Sequence, residues 1–258
     1  MWISSILLSQ ALALAPLAPD TESLLALAEQ GKLNQSTAHP YQVHAKTLIT
    51  QLENLALADK QLPEKTWFAI IAIAHIGALE DVQRLQKHLQ HPAFHIRMSC
   101  LRALDIMHQR QLISLSDYLT LLHNQLTDKA MVVRSTAVEL IGQQRDPQSL
   151  SYLGQELNKT DNFYRGKSLP IRKRVIDAMQ NIGGSQALPW MIQSVADPDP
   201  EIAARAFATL NPLDTAAPLP DAAQRQSIQS AWEKIVSSTE PFQQPAVQQP
   251  AEQQTASE

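Results

Sequence analysis

The chain of 258 residues contains a single cysteine, Cys100. An internal disulfide is therefore excluded, as is any metal site built from cysteines alone. Aromatic residues make up only 5% of the chain and glycines number seven. The β-branched runs that fill a sheet core are missing. Cationic surplus is lacking too: 21 Lys and Arg against 25 Asp and Glu give a formal net charge of −4. A general nucleic-acid binder neutralises phosphates with excess Lys and Arg, so this balance counts against one. Catalytic signatures are also wanting, with no phosphate loop, no Gly-x-Ser-x-Gly elbow and no His-Glu-x-x-His. The chain is expected to be non-enzymatic.

What is present favours helix. Ala, Leu and Gln are abundant, and each is a good helix former. At the N-terminus no charged side chain occurs before Asp20, and Trp2, Ile3, Ile6, Leu7, Leu8 and Leu12 make the segment apolar. Ala11-Leu12-Ala13 and Ala13-Leu14-Ala15 have the small-x-small form of a signal-peptidase site. Residues 1–18 are thus expected to be a signal peptide directing export to a bacterial periplasm. The alternative is an apolar first helix in a cytoplasmic protein. Pro16 breaks the apolar run too early for a membrane span.

Internal similarity organises the middle of the chain. Ile96-Arg97-x-x-Cys100-Leu101-x-Ala103-Leu104, Val133-Arg134-x-x-Ala137-Val138-x-Leu140-Ile141 and Ile171-Arg172-x-x-Val175-Ile176-x-Ala178-Met179 superpose directly. Weaker copies flank them around Ala69-Ile70 and Ile202. With Lys65, Ile96, Val133, Ile171 and Ile202 equivalent, the spacings are 31, 37, 38 and 31 residues. Apolar residues recur at i, i+4, i+5, i+7 and i+8, one face of a helix. Amphipathic helices are predicted ahead of these copies over residues 79–89, 116–126, 149–157 and 186–195. The breakers His91-Pro92 and Asp197-Pro198-Asp199-Pro200 separate the two helices of a unit. Gly77 and Gly183-Gly184 end the second, where a left-handed glycine is expected. Such helix–turn–helix units bury a continuous core only by stacking. Trp67, Phe68, Phe94, Trp190 and Phe207 fall mostly at predicted core positions.

The run Gly183-Gly184-Ser185-Gln186-Ala187-Leu188-Pro189, through Asp197-Pro198-Asp199-Pro200-Glu201-Ile202 to Ala206-Phe207, resembles the short bacterial HEAT repeat also found in phycobilin lyases. The resemblance covers about 150 residues and implies an all-α, right-handed α-solenoid of about five HEAT-like helical hairpins over residues 62–212. Residues 19–61 would hold N-terminal capping helices, with one amphipathic helix over 41–57. Residues 213–239 read as a linker and a last helix, and residues 240–258 as a disordered Gln/Pro-rich tail. In such repeats an Asp and an Arg of successive units tend to bridge. Here Asp128 and Asp197 match the acidic position, and Arg97, Arg134 and Arg172 the basic one. His91 replaces the Asp once, and both end repeats lack the Arg. The implied function is a scaffold that presents a surface to a protein partner. The alternative is an accessory lyase or chaperone-like protein acting on a pigment- or cofactor-carrying protein. No cofactor is expected, and the absence of any His-Glu dipeptide removes the di-iron branch of helical-repeat enzymes.

Two clusters remain. Arg165, Lys167, Arg172, Lys173 and Arg174 form a local basic group on an acidic chain, within the insert that lengthens its repeat to 38 residues. That group is the candidate partner-binding site. His88, His91 and His95 share one inter-helix turn, but their spacing matches no closed metal site, so a solvated turn is expected. Cys100 sits on the predicted buried face and is expected to be structural.

Overall fold

A computed structural model describes residues 19–58, 63–210 and 219–239. The described chain is helical except for one two-stranded hairpin. It divides into two compact units, residues 1–136 and 137–258. The predictions for residues 1–18, most of the linker and the tail at 240–258 lie outside the described residues.

The first unit holds α1 (Pro19–Glu29), the short α2 (Gln35–Ala38) and a 3-10 stretch over His39–His44. There follow α3 (Ala45–Ala56), α4 (Pro63–Ile76), α5 (Leu79–His88), α6 (Phe94–Gln109), α7 (Leu115–Gln125) and the start of α8 (Met131–Gln144). Side chains set several of these boundaries. Asn34 accepts the N–H groups of Ser36 and Thr37 ahead of α2, and Ser114 accepts the Asp117 N–H ahead of α7. Both satisfy amides that a helix start leaves without partners. Helix α4 packs on α1, α3 and α6, while α6 also packs on α5 and α7. Ile70, Ile73, Leu85, Leu101, Leu104, Met107 and Leu122 are fully buried between them. Each buried aliphatic side chain of this size contributes roughly 1.5–3 kcal/mol.

The second unit holds the rest of α8, a 3-10 turn at Pro147–Ser149, α9 (Leu150–Asn158), β1 (Phe163–Tyr164) and β2 (Lys167–Ser168). After these come α10 (Pro170–Ile182), α11 (Gly184–Val195), α12 (Pro200–Leu210) and α13 (Ala222–Thr239). Helix α10 packs on α9, α11 and α12, and α13 packs on α11. Two glycines allow close approach. A Cβ on Gly142 would stand 2.8 Å from the Ala178 Cβ of α10, and one on Gly154 would stand 2.0 Å from the Trp190 ring of α11.

Some sequence expectations need correction. Phe94, expected in the core, is 50% exposed, because it is the first residue of α6 and precedes the helix's buried face. Trp67, Phe68, Trp190 and Phe207 are half-buried; Ala, Leu and Ile fill the core instead. Gly77 is not left-handed. It follows α4 where a Cβ would meet the Ile73 carbonyl at 2.8 Å, so close packing explains it. The left-handed residue after α6 is Gln111 (φ 63°), and after α8 it is Arg145 (φ 54°). No described helix is long and apolar enough to cross a membrane.

Candidate functional site

Near the start of α4, α6, α8 and α10 stands a side chain that donates to a carbonyl of the preceding turn or helix end. Arg97 donates from Nη1 to the carbonyls of His91 (2.7 Å) and Pro92 (2.9 Å). Arg134 donates from Nη1 to the Asp128 carbonyl at 2.9 Å. Arg172 donates from Nε to the carbonyl of Leu157, near the end of α9, at 2.9 Å. At the equivalent Thr66 the hydroxyl donates to the carbonyl of Ala56, the last residue of α3, at 3.2 Å. Helix ends leave carbonyls without intrahelical partners, and these side chains supply the donors. At the last equivalent position stands Ala203, which has no donor. There Arg225 of α13 reaches the Asp197 carbonyl at 3.2 Å. Sequence reasoning missed Arg225, since it lies well outside the repeat register.

Arg97 and Arg172 also grip a carboxylate. Arg97 donates from Nε and Nη2 to the two oxygens of Asp128 at 2.6 and 2.7 Å, and both side chains are more than nine-tenths buried. Arg172 donates to Asp197 from Nη2 at 2.6 Å and from Nη1 at 3.2 Å. The structure thus brings together Arg97 with Asp128, and Arg172 with Asp197. Burial alone would raise the Asp128 carboxyl; the bonds from Arg97 and the Ala130 N–H, with the charges of Arg97 and Lys129, instead hold it below its ordinary value. The same fork raises the Arg97 guanidinium. Asp199 is likewise held low against its desolvation by Ser168, the N–H groups of Glu201 and Ile202, and the Arg172 charge. It thereby caps the start of α12.

The five cationic residues grouped by sequence separate in space. Arg172 is 1% exposed, with its guanidinium 4.4 Å over the Phe163 ring. Lys173 pairs with Glu201 of α12, and Arg174 lies 3.7 Å from Glu139. Arg165 and Lys167 remain exposed on the hairpin, where Phe163 pairs with Ser168 and Tyr164 with Lys167. The hairpin turn is Arg165-Gly166, with φ of 51° and 74°, a two-residue turn whose twist matches that of the strands. Arg165 stacks over the exposed Tyr164 ring at 5.1 Å. Below the hairpin, Asn162 donates to the Glu156 carbonyl and carboxylate at 2.6 and 2.9 Å, and Leu169 N–H bonds the Asn162 carbonyl at 2.8 Å. The strand pair is thus anchored at its base, and its tip presents one aromatic ring and two cations.

In the first unit a polar cleft of about 580 Å³ opens beside the Arg97–Asp128 bridge, lined in part by Gln90, His91, Asn124, Gln125 and Lys129. Nδ1 of His91 accepts the Ala93 N–H at 3.1 Å. Desolvation, then the charges of His88 and His95, hold His91 below its ordinary value. His88 is drawn away to Glu53, at 2.6 Å. Among the described residues, no group of three or more His, Cys, Asp or Glu side chains could hold a metal ion. Cys100 is fully buried, and burial followed by the Glu53 charge pushes its thiol up, away from nucleophilic character.

No protein-family model and no curated protein matches this chain.

Proposed function

We propose that this protein is a non-enzymatic binding module, an α-solenoid of HEAT-like hairpins that docks a protein partner. The side chains at positions 66, 97, 134 and 172, each tying its helix to the turn before it, support the stacked arrangement. So does the packing of α4 on α6 and of α10 on α12. The observation that carries the docking role is the hairpin over residues 163–168, which holds Tyr164 61% exposed between Arg165 and Lys167. Exposed aromatic and arginine side chains on a rigid support are the residues that dominate protein–protein contacts. Cations of this kind on a chain of net charge −4 select an acidic face on the partner.

The test is affinity isolation from the native cell with the wild-type chain and with Arg165→Glu/Lys167→Glu. Neither side chain is buried, so helix content is expected to stay unchanged. A partner recovered with the wild type and lost with the double variant supports the docking role. Equal recovery with both removes the hairpin from the interface. Turnover of any substrate by purified protein, abolished by a point substitution, would end the non-enzymatic reading.

A further inference from the structure

The polar cleft of the first unit is built from different chemistry than the hairpin. Its volume lies within the range that binding sites occupy, roughly 300–1,000 Å³, yet its walls are polar rather than apolar. Arg97 and Asp128 line it but neutralise each other through their two-bond fork. What remains to meet a ligand is a set of side-chain amides, the His91 ring, the Thr127 hydroxyl and one cation. Gln90 and Asn124 are exposed, while Gln125 is only 6% exposed and meets the cleft from its buried side. Lys129 is exposed and, among the described residues, forms no ion pair.

A carboxamide offers both a carbonyl acceptor and N–H donors, the same pair that each peptide unit presents. Amides arrayed along a cleft therefore complement an extended backbone, whose N–H and C=O groups have no internal partners. The ammonium of Lys129 adds a charge preference for a carboxylate. Two exposed apolar residues stand just past the lining segments. Phe94 and Met131 occupy equivalent repeat positions, each two residues before Ile96 or Val133, and are 50% and 36% exposed.

We infer that this cleft binds an extended peptide segment of a partner protein, with an acidic side chain at Lys129 and its backbone on the amides of Asn124 and Gln125. The site goes beyond the hairpin contact and stands on its own residues.

The probe is a set of fluorescein-labelled, end-capped hexapeptide mixtures, each with one fixed residue, titrated into the full chain and followed by anisotropy. Mixtures fixed as Asp or Glu are expected to bind roughly three- to five-fold tighter than those fixed as Lys, the size of a partly screened ion pair. Lys129→Glu is expected to invert that order, and Asn124→Ala to weaken all mixtures alike. Arg165→Glu/Lys167→Glu is expected to leave the selection intact. Absence of peptide binding overturns the inference, as does binding without charge preference. An order unchanged in Lys129→Glu overturns it too. Selection that vanishes only in the Arg165/Lys167 variant assigns the acidic preference to the hairpin, which sinks the cleft and leaves the docking role standing.

Discussion

Removing Arg97 is expected to be among the most damaging single changes in the first unit. Arg97→Ala deletes two charge-assisted bonds to Asp128 and the donors to the His91 and Pro92 carbonyls. It also leaves the Asp128 carboxylate in a site where only 7% of its side chain meets solvent. Breaking one partner of a buried pair costs about 3–5 kcal/mol, and the stranded carbonyls add to that. Asp128→Asn keeps an oxygen for the Ala130 N–H but loses the charge and turns an amide donor toward the Arg97 Nε–H, so its cost is at least about 1–3 kcal/mol. The assay is urea unfolding followed by far-UV circular dichroism on wild type, Arg97→Ala, Asp128→Asn and Arg97→Ala/Asp128→Asn. Arg97→Ala is expected to lower the midpoint by about 1–2 M at an ordinary slope for this chain length. The double variant is expected to lose less than the summed singles, with a coupling of at least about 1.5 kcal/mol. The pH dependence has a definite sign. The folded-state pKa of Asp128 is depressed, so its contribution is present above the unfolded value near 4 and lost as pH falls through the folded one. The gap between wild type and Asp128→Asn should therefore close below about pH 4. A coupling under about 0.5 kcal/mol, or a gap that persists in acid, would refute the reasoning.

Two further substitutions test the packing. Gly154→Ala places a methyl within 2.0 Å of the Trp190 ring and is expected to destabilise the second unit by about 1–3 kcal/mol, with a shift in tryptophan emission. Adding Trp190→Leu should recover part of that loss, and no recovery would mean that the ring is not the obstacle. Thr66→Val removes the donor to the Ala56 carbonyl while keeping the shape of the side chain, for an expected loss of about 1–2 kcal/mol. Thr66→Ser retains the hydroxyl and should fall well short of that loss in the same thermal melt.

The helices could be read from sequence because a buried helical face imposes a 3.6-residue period that composition cannot hide. Helices predicted over 79–89, 116–126, 149–157 and 186–195 correspond to α5, α7, α9 and α11, with no end displaced by more than two residues. The hairpin at 163–168 escaped notice because two residues per strand are too few to show alternation. Its one available signal was the Arg165-Gly166 pair between two short flanks. Grouping Arg172, Lys173 and Arg174 as one patch failed for a geometric reason. Consecutive residues on a helix point about 100° apart, so Arg172 turns inward to Asp197 while its neighbours reach Glu201 and Glu139. The cleft joins two turns separated by more than thirty residues, and only folding brings Gln90 near Asn124. Residue types alone gave no hint of that proximity.

The closures at positions 66, 97, 134, 172 and 225 share an asymmetry. Their donors are side chains, a threonine hydroxyl in one case and guanidinium groups in the others, while the acceptors common to all five are main-chain carbonyls. A carbonyl is present whichever residue carries it, so no substitution can delete that half of the joint. The residue that carries such a carbonyl can change without removing the acceptor. The donor position must keep a reach and a proton to give, and at the last joint that donor, Arg225, stands on α13. What each joint asks of residue type therefore falls on its donor, and at the Arg97 and Arg172 joints on the Asp128 and Asp197 carboxylates as well.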